Sequence, residues 1–110
     1  MPNAKLYVDH SVWTENQAEL HGSLPKLRDI LCQRLNVAPN ACQLALIPVY
    51  GLADQPAINI ELHIMPHPER TRDLLETLGG DLQAMIGDRA GCPCAVRIAT
   101  LDRQTYVALK

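Results

Sequence analysis

The second residue is a proline, and it is the first candidate for chemistry. Met1-Pro2 stands one residue before the alternating stretch AKLYVD. Structurally, a proline fixes φ and suits the first residue of a strand. Chemically it matters if Met1 is removed, because the chain then starts with a secondary amine. That amine is a base and nucleophile that no side chain supplies. Arg70 and Arg97 are the anion-binding candidates, since a guanidinium meets a carboxylate bidentately. Arg70 falls in the first turn of an expected helix, where the dipole disfavours a cation. Arg97 interrupts the otherwise apolar CAVRIAT and is expected to pair with an acid across the sheet, Glu61 being nearest by pattern, or to touch substrate. Cys92 and Cys94 form a CPC tripeptide, Cys32 lies in a helical pattern and Cys42 opens a strand. A metal site wants a second close pair or histidines at ligand spacing, and neither is evident. Buried or half-buried thiols are therefore expected, with CPC as a redox or metal element the alternative. His63 reads as an interface residue on a polar strand face, and His67, between Pro66 and Pro68, as an exposed turn residue.

These residues have to be positioned by a small set of elements. Ala4–Asp9 alternates, with Leu6 and Val8 on one face and Lys5, Tyr7 and Asp9 on the other, the pattern of a half-buried strand. Pro25 predicts that the first strong helix runs from Leu24 to Leu35, with Ser23 as N-cap. An earlier turn around Glu15–His21 is a second helical candidate. Residues 36–40 break the chain, Gln43–Val49 is a strand, and residues 50–56 carry turn chemistry. Ala57–Met65 alternates most clearly, Ile58, Ile60, Leu62 and Ile64 against Asn59, Glu61, His63 and Met65. Glu69–Ile86 predicts the second helix, weakened by Gly79-Gly80. Gly87–Pro93 reads as a loop and Cys94–Thr100 as the last strand, with the tail a candidate edge strand. The order β-α-β-β-α-β predicts an α+β fold with two helices on one face of a four-stranded sheet. The other face, carrying Lys5, Tyr7, Asp9, Gln43, Asn59, Glu61 and His63, faces either solvent or other subunits.

Composition narrows the class. The 110 residues, 47% apolar and 20% charged, fit one domain spanning residues 1–110. With no phenylalanine, the core has to be built from Leu, Ile, Val and Ala. A net charge of −2 provides no basic face for nucleic acid. There is no apolar run of about 18 residues to cross a membrane. The start lacks a signal-peptide pattern, so the expected location is cytoplasmic and no disulfide framework is expected.

The Met-Pro-strand start, the element order, the stretch YGLADQPAINIELHI (residues 50–64), the following PHPERT and the closing VRIATLDRQTY (residues 96–106) together resemble the tautomerase superfamily. The likeness is to the type with both βαβ halves in one chain, as in 5-carboxymethyl-2-hydroxymuconate isomerase and macrophage migration inhibitory factor. It covers nearly the whole chain. The resemblance implies a homotrimer with no metal and no cofactor, the sheets forming an inner barrel and the active sites lying at subunit boundaries. It implies that Pro2 is catalytic, its amine kept as free base by an apolar pocket. Arg70, Arg97 and Met65 would bind a small 2-oxo or 2-hydroxy-dienoate carboxylate while the amine moves a proton. The pattern departs at Gln43–Leu44, where a second family arginine is missing, and at Val37, which replaces a family lysine. Those departures leave a rival reading, an inactive trimer of the same fold serving as a binding or structural module. A ferredoxin-like thiol or metal domain built on Cys92 and Cys94 is a third.

Overall fold

The computed structural model describes all 110 residues. Strand β1 (Asn3–Asp9) leads into helix α1 (His10–Leu35), a 3₁₀ turn (Pro39–Ala41), strands β2 (Gln43–Val49) and β3 (Ile58–Ile64), helix α2 (Arg72–Ala90) and strand β4 (Cys94–Thr100). The sheet order is β2-β1-β3-β4. β1 runs parallel to β2 and antiparallel to β3, and β3 runs parallel to β4. This is the α+β sheet-and-two-helix arrangement expected from the sequence.

The alternation decides the faces. Ala4, Leu6 and Val8 of β1 and Ile58, Ile60, Leu62 and Ile64 of β3 are buried on one face. Against them pack Leu20, Leu27, Leu31 and Leu35 of α1 and Leu78, Leu82 and Ile86 of α2, an all-aliphatic core completed by Cys94. The opposite face is uncovered by any helix. There the register sets Lys5 beside Glu61, Tyr7 beside Asn59 and Glu61 beside Arg97.

Three expectations are corrected. α1 does not start at Leu24 but at His10, and Pro25 lies inside it. Asp9 is the N-cap, its carboxylate accepting from the Ser11 amide at 3.1 Å and the Ser11 hydroxyl at 2.6 Å. Ser23 is instead fully buried, and its hydroxyl donates to the Glu19 carbonyl at 2.8 Å. An interior proline costs about 3 kcal/mol. Fully burying Leu20 on one side of it and Leu27 on the other offsets about 1.5–3 kcal/mol each, so tertiary packing outweighs the local breaker.

α2 begins three residues later than expected and ends four later. Thr71 caps it by accepting from the Leu74 amide at 3.2 Å, and Gly91, at φ 66°, ends it in the left-handed conformation. Gly87 is therefore helical rather than loop, and Arg70 precedes the helix instead of opposing its dipole. Finally, the tail adds no strand. It turns at Asp102, whose carbonyl accepts from the Thr105 and Tyr106 amides, and runs back toward the amino end.

Candidate active site

At the amino end, Pro2 is buried and its carbonyl accepts from the Gln43 amide at 2.9 Å. Continuing the β1–β3 register past Asn3 and His63 sets Pro2 opposite Ile64 and Met1 opposite Met65. Met65 is half-buried at the end of β3. The chain then turns through Pro66-His67-Pro68, the Arg70 amide donating to the His67 carbonyl at 2.9 Å. This turn brings the Arg70 side chain back, with Nη1 donating to the Met65 carbonyl at 2.7 Å and Nη2 to the Leu35 carbonyl at 3.2 Å. Arg70 thus ties the end of β3 to the last residue of α1.

The tail completes the cluster. The Leu101 amide donates to the Ile64 carbonyl at 2.8 Å, extending the β3–β4 ladder by one step. Arg103 Nη2 donates to the Pro66 carbonyl at 2.6 Å. Lys110 Nζ lies 2.9 Å from Met1 Sδ. Three cations therefore gather round the amino end, and none belongs to a side-chain ion pair. The ion pairs are Arg34–Asp81, Arg72–Glu76 and Arg89–Glu19.

Burial holds the Met1 ammonium below the ordinary α-amino value, and the charges of Arg70, Lys110 and Arg103 push the same way. A Cys42 thiolate would oppose them. An amine in this setting is biased to the free base, and its surroundings favour an anion. With Met1 attached, the Pro2 nitrogen is an amide and carries no such basicity.

The structure joins Arg70 to Met65, at the end of the strand that pairs with the one Pro2 leads into. Arg97 stands apart within the protomer: it is exposed on the uncovered sheet face, and its Nη1 donates to Asn59 Oδ1. Asn59 lies opposite Tyr7, five residues along β1 from Pro2. The expected pairing of Arg97 with Glu61 is corrected: Glu61 is its cross-strand neighbour, but the guanidinium reaches past it to the amide of Asn59. Sequence reasoning missed Arg103 and Lys110. They lie in an aperiodic tail, and only the return of that tail to Met1 gives them a role.

Elsewhere, a groove of about 410 Å³ lies between α2 and β4, lined by Leu75, Gly79, Val96 and Ile98 among others, with no residue of the amino-end cluster. Cys92 and Cys94 are free, and the Cys94 thiol donates to the Ala95 carbonyl. Burial pushes both thiols up, Cys94 to about 11. No three His, Cys, Asp or Glu side chains gather in a way that could hold a metal ion. No helix is long and apolar enough to cross a membrane.

No family model and no curated protein matches the sequence. Solved structures match its shape. One, a member of the cis-3-chloroacrylic acid dehalogenase family, superposes with a TM-score of 0.72 at 11% identity, covering 96% of this chain and 79% of that one. A fused 4-OT, a symmetric trimer, gives 0.69 at 13% identity, covering 93% and 87%. A macrophage migration inhibitory factor-like protein from Entamoeba histolytica gives 0.64 at 12% identity, covering 97% and 94%. The chain has the fold of the tautomerase superfamily, to which these structures belong.

Proposed function

We propose that this protein is a cofactor-independent tautomerase or isomerase, in which the amine of Pro2, freed by removal of Met1, moves a proton on a small 2-oxo or 2-hydroxy-dienoate acid. The carrying observation is the setting of the amino end: a buried proline next to Met1, whose ammonium feels the charges of Arg70, Lys110 and Arg103. Burial and those cations lower the basicity of the amino end, which favours the free base that proton transfer requires. Arg70 retains its Nε and two further N–H donors for a substrate carboxylate, and Met65 forms an apolar wall. Arg97 serves the site of a neighbouring subunit in a homotrimer, a state supported by the fused 4-OT likeness. In that assembly the uncovered sheet face lines the interior, and the unpaired edges of β2 and β4 lie at subunit boundaries.

A second reading, an inactive tautomerase-fold trimer acting as a binding or structural module, is favoured by one observation. Arg70 already donates to two backbone carbonyls, so part of its capacity is structural. One experiment separates the two readings. Protein purified from its native host is weighed intact and assayed with phenylenolpyruvate, beside a Pro2→Ala variant. The enzyme reading expects a mass short by one methionine, turnover, and a loss of about 10²–10⁴-fold in the variant. Retained Met1 with no turnover would establish the inactive module instead.

A further inference from the structure

Cys32 and Cys42 lie with their sulfurs 3.8 Å apart, one thiol donating to the other. They are ten residues apart in sequence, Cys32 in the last turn of α1 and Cys42 immediately before β2. We propose that Cys32 and Cys42 form a reversible intramolecular disulfide that staples the end of α1 to the start of β2.

The backbone at both sulfurs is already fixed. The Cys32 carbonyl accepts from the amides of Asn36 and Val37, closing the helix through the left-handed Asn36 at φ 54°. The Cys42 amide donates to the Pro39 carbonyl at 3.1 Å, and the next amide, of Gln43, is held by Pro2. A bond of about 2.05 Å asks the sulfurs, already 3.8 Å apart, to approach by less than about 2 Å. Both thiols are half-buried rather than sealed in the core. Cys92 and Cys94 lack this arrangement, the Cys94 thiol turning to the Ala95 carbonyl at 3.7 Å.

The chemistry balances with a small-molecule disulfide such as oxidised glutathione. Burial and the neighbouring Cys32 thiol push Cys42 up to about 11, and in this exchange Cys32 attacks first. The Cys32 thiolate attacks one sulfur of the small disulfide, forms a mixed disulfide and releases one thiol. Cys42 then loses its proton and attacks the Cys32 sulfur, releasing the second thiol. Two protein thiols are oxidised and one small disulfide is reduced to two thiols. The bond links Cys32, three residues before Leu35, whose carbonyl holds Arg70, to Cys42, next to Gln43, whose amide holds Pro2, so it braces two supports of the amino-end cluster. It does not depend on the cluster being catalytic.

The full chain is reduced, desalted and equilibrated without oxygen in mixtures of oxidised and reduced glutathione, then acid-quenched, alkylated and mapped. The expected product has lost the mass of two hydrogens, contains a Cys32–Cys42 peptide and returns to the starting mass on reduction. Its Tm rises by roughly 10 °C, because cross-linking a loop of this length restricts the unfolded chain. Cys32→Ser and Cys42→Ser each abolish both effects, and the Cys92→Ser/Cys94→Ser double variant retains both. A glutathione adduct that persists unresolved, or a cross-link through Cys92 or Cys94, overturns the pairing. A Cys32–Cys42 bond that leaves Tm unchanged or lowers it overturns the staple.

Discussion

Replacing Arg70 with methionine tests whether the guanidinium is the joint between the two halves of the fold. It donates at 2.7 Å to the Met65 carbonyl and at 3.2 Å to the Leu35 carbonyl, one of the last acceptors of α1 that the helix itself leaves unpaired. Hydrogen bonds involving a charged group contribute about 1.5–3 kcal/mol each. The second is long and Arg70 is only half-buried, so water replaces part of what is lost; the sum to expect is about 2–3 kcal/mol. For a chain of this size that lowers Tm by roughly 8–12 °C. Melting has to be compared at one protein concentration, because any self-association makes Tm concentration-dependent. Arg72→Met is the control. Arg72 pairs with Glu76 one turn along α2, with side chains 89% and 63% exposed, and such a pair contributes about 0.3–0.5 kcal/mol. Equal melting shifts in the two variants would refute the joint. Arg70→Met carries a second readout at the amino end. Removing a cation that holds the ammonium form down raises the pKa of the Met1 amine, so amine acylation in Met1-retaining protein shifts to higher pH. An unchanged acylation profile would refute the electrostatic contact between Arg70 and the amino end.

Three further outcomes follow from local physics. Gly80 lies inside α2 with nothing within 4 Å of where a Cβ would stand, so Gly80→Ala stabilises by about 0.5–1 kcal/mol; a lower urea midpoint would contradict that open space. Asp9 accepts from the Ser11 hydroxyl and the Ser11 amide, which hold its carboxyl below the usual range. Its folded pKa lies under its unfolded one, so its contribution is complete above the unfolded value and disappears as pH falls through the folded one. Urea midpoints of the wild type and Asp9→Asn, which keeps a capping oxygen without the charge, therefore converge below about pH 4; a gap constant from about pH 7 to about pH 2 would refute the assignment. With Cys94 at about 11 against an ordinary 9.0, its thiolate population at about pH 8 is about 100-fold reduced, and alkylation by iodoacetamide slows at least that much relative to the unfolded chain. Equal rates in folded and unfolded protein would show that the thiol is not buried as described.

What the sequence made legible was the part of the fold governed by periodicity. In INIELHI every second residue is apolar, and that alone sorts β3 into a buried face and an open one. The same parity in β1 then fixes which face the helices cover. Legibility ended where a local signal competed with a distant one. Pro25 is a helix breaker by every local rule, yet Leu20 before it and Leu27 after it are sealed into one core only if a single helix runs through the proline. Arg97 was legible as a strand residue in need of a partner, but cross-strand position alone does not choose between the carboxylate of Glu61 and the amide of Asn59. Arg103 and Lys110 offered no periodicity at all. Their place depends on a turn at Asp102 and on the contacts of Arg103 with the Pro66 carbonyl and of Lys110 with Met1, all set by tertiary structure.

Pro2 carries a structural and a chemical reading, and the ladder shows why one residue accommodates both. In a parallel pair, a residue whose carbonyl accepts from position j of its neighbour donates its own N–H to position j−2. The Pro2 carbonyl accepts from Gln43, so its missing N–H would have been aimed at Ala41. Ala41 is the last residue of the 3₁₀ turn, before β2 begins. The proline at residue 2 therefore removes no hydrogen bond to a residue of β2. The same geometry directs the Pro2 nitrogen toward the segment that carries Cys42, which agrees with the influence of Cys42 on the amino end. A proline at this position costs the fold little and, once Met1 is removed, leaves a secondary amine beside the cations of the amino end. The strand-initiating role is compatible with the proposed proton transfer, because it fixes the direction in which the amine points.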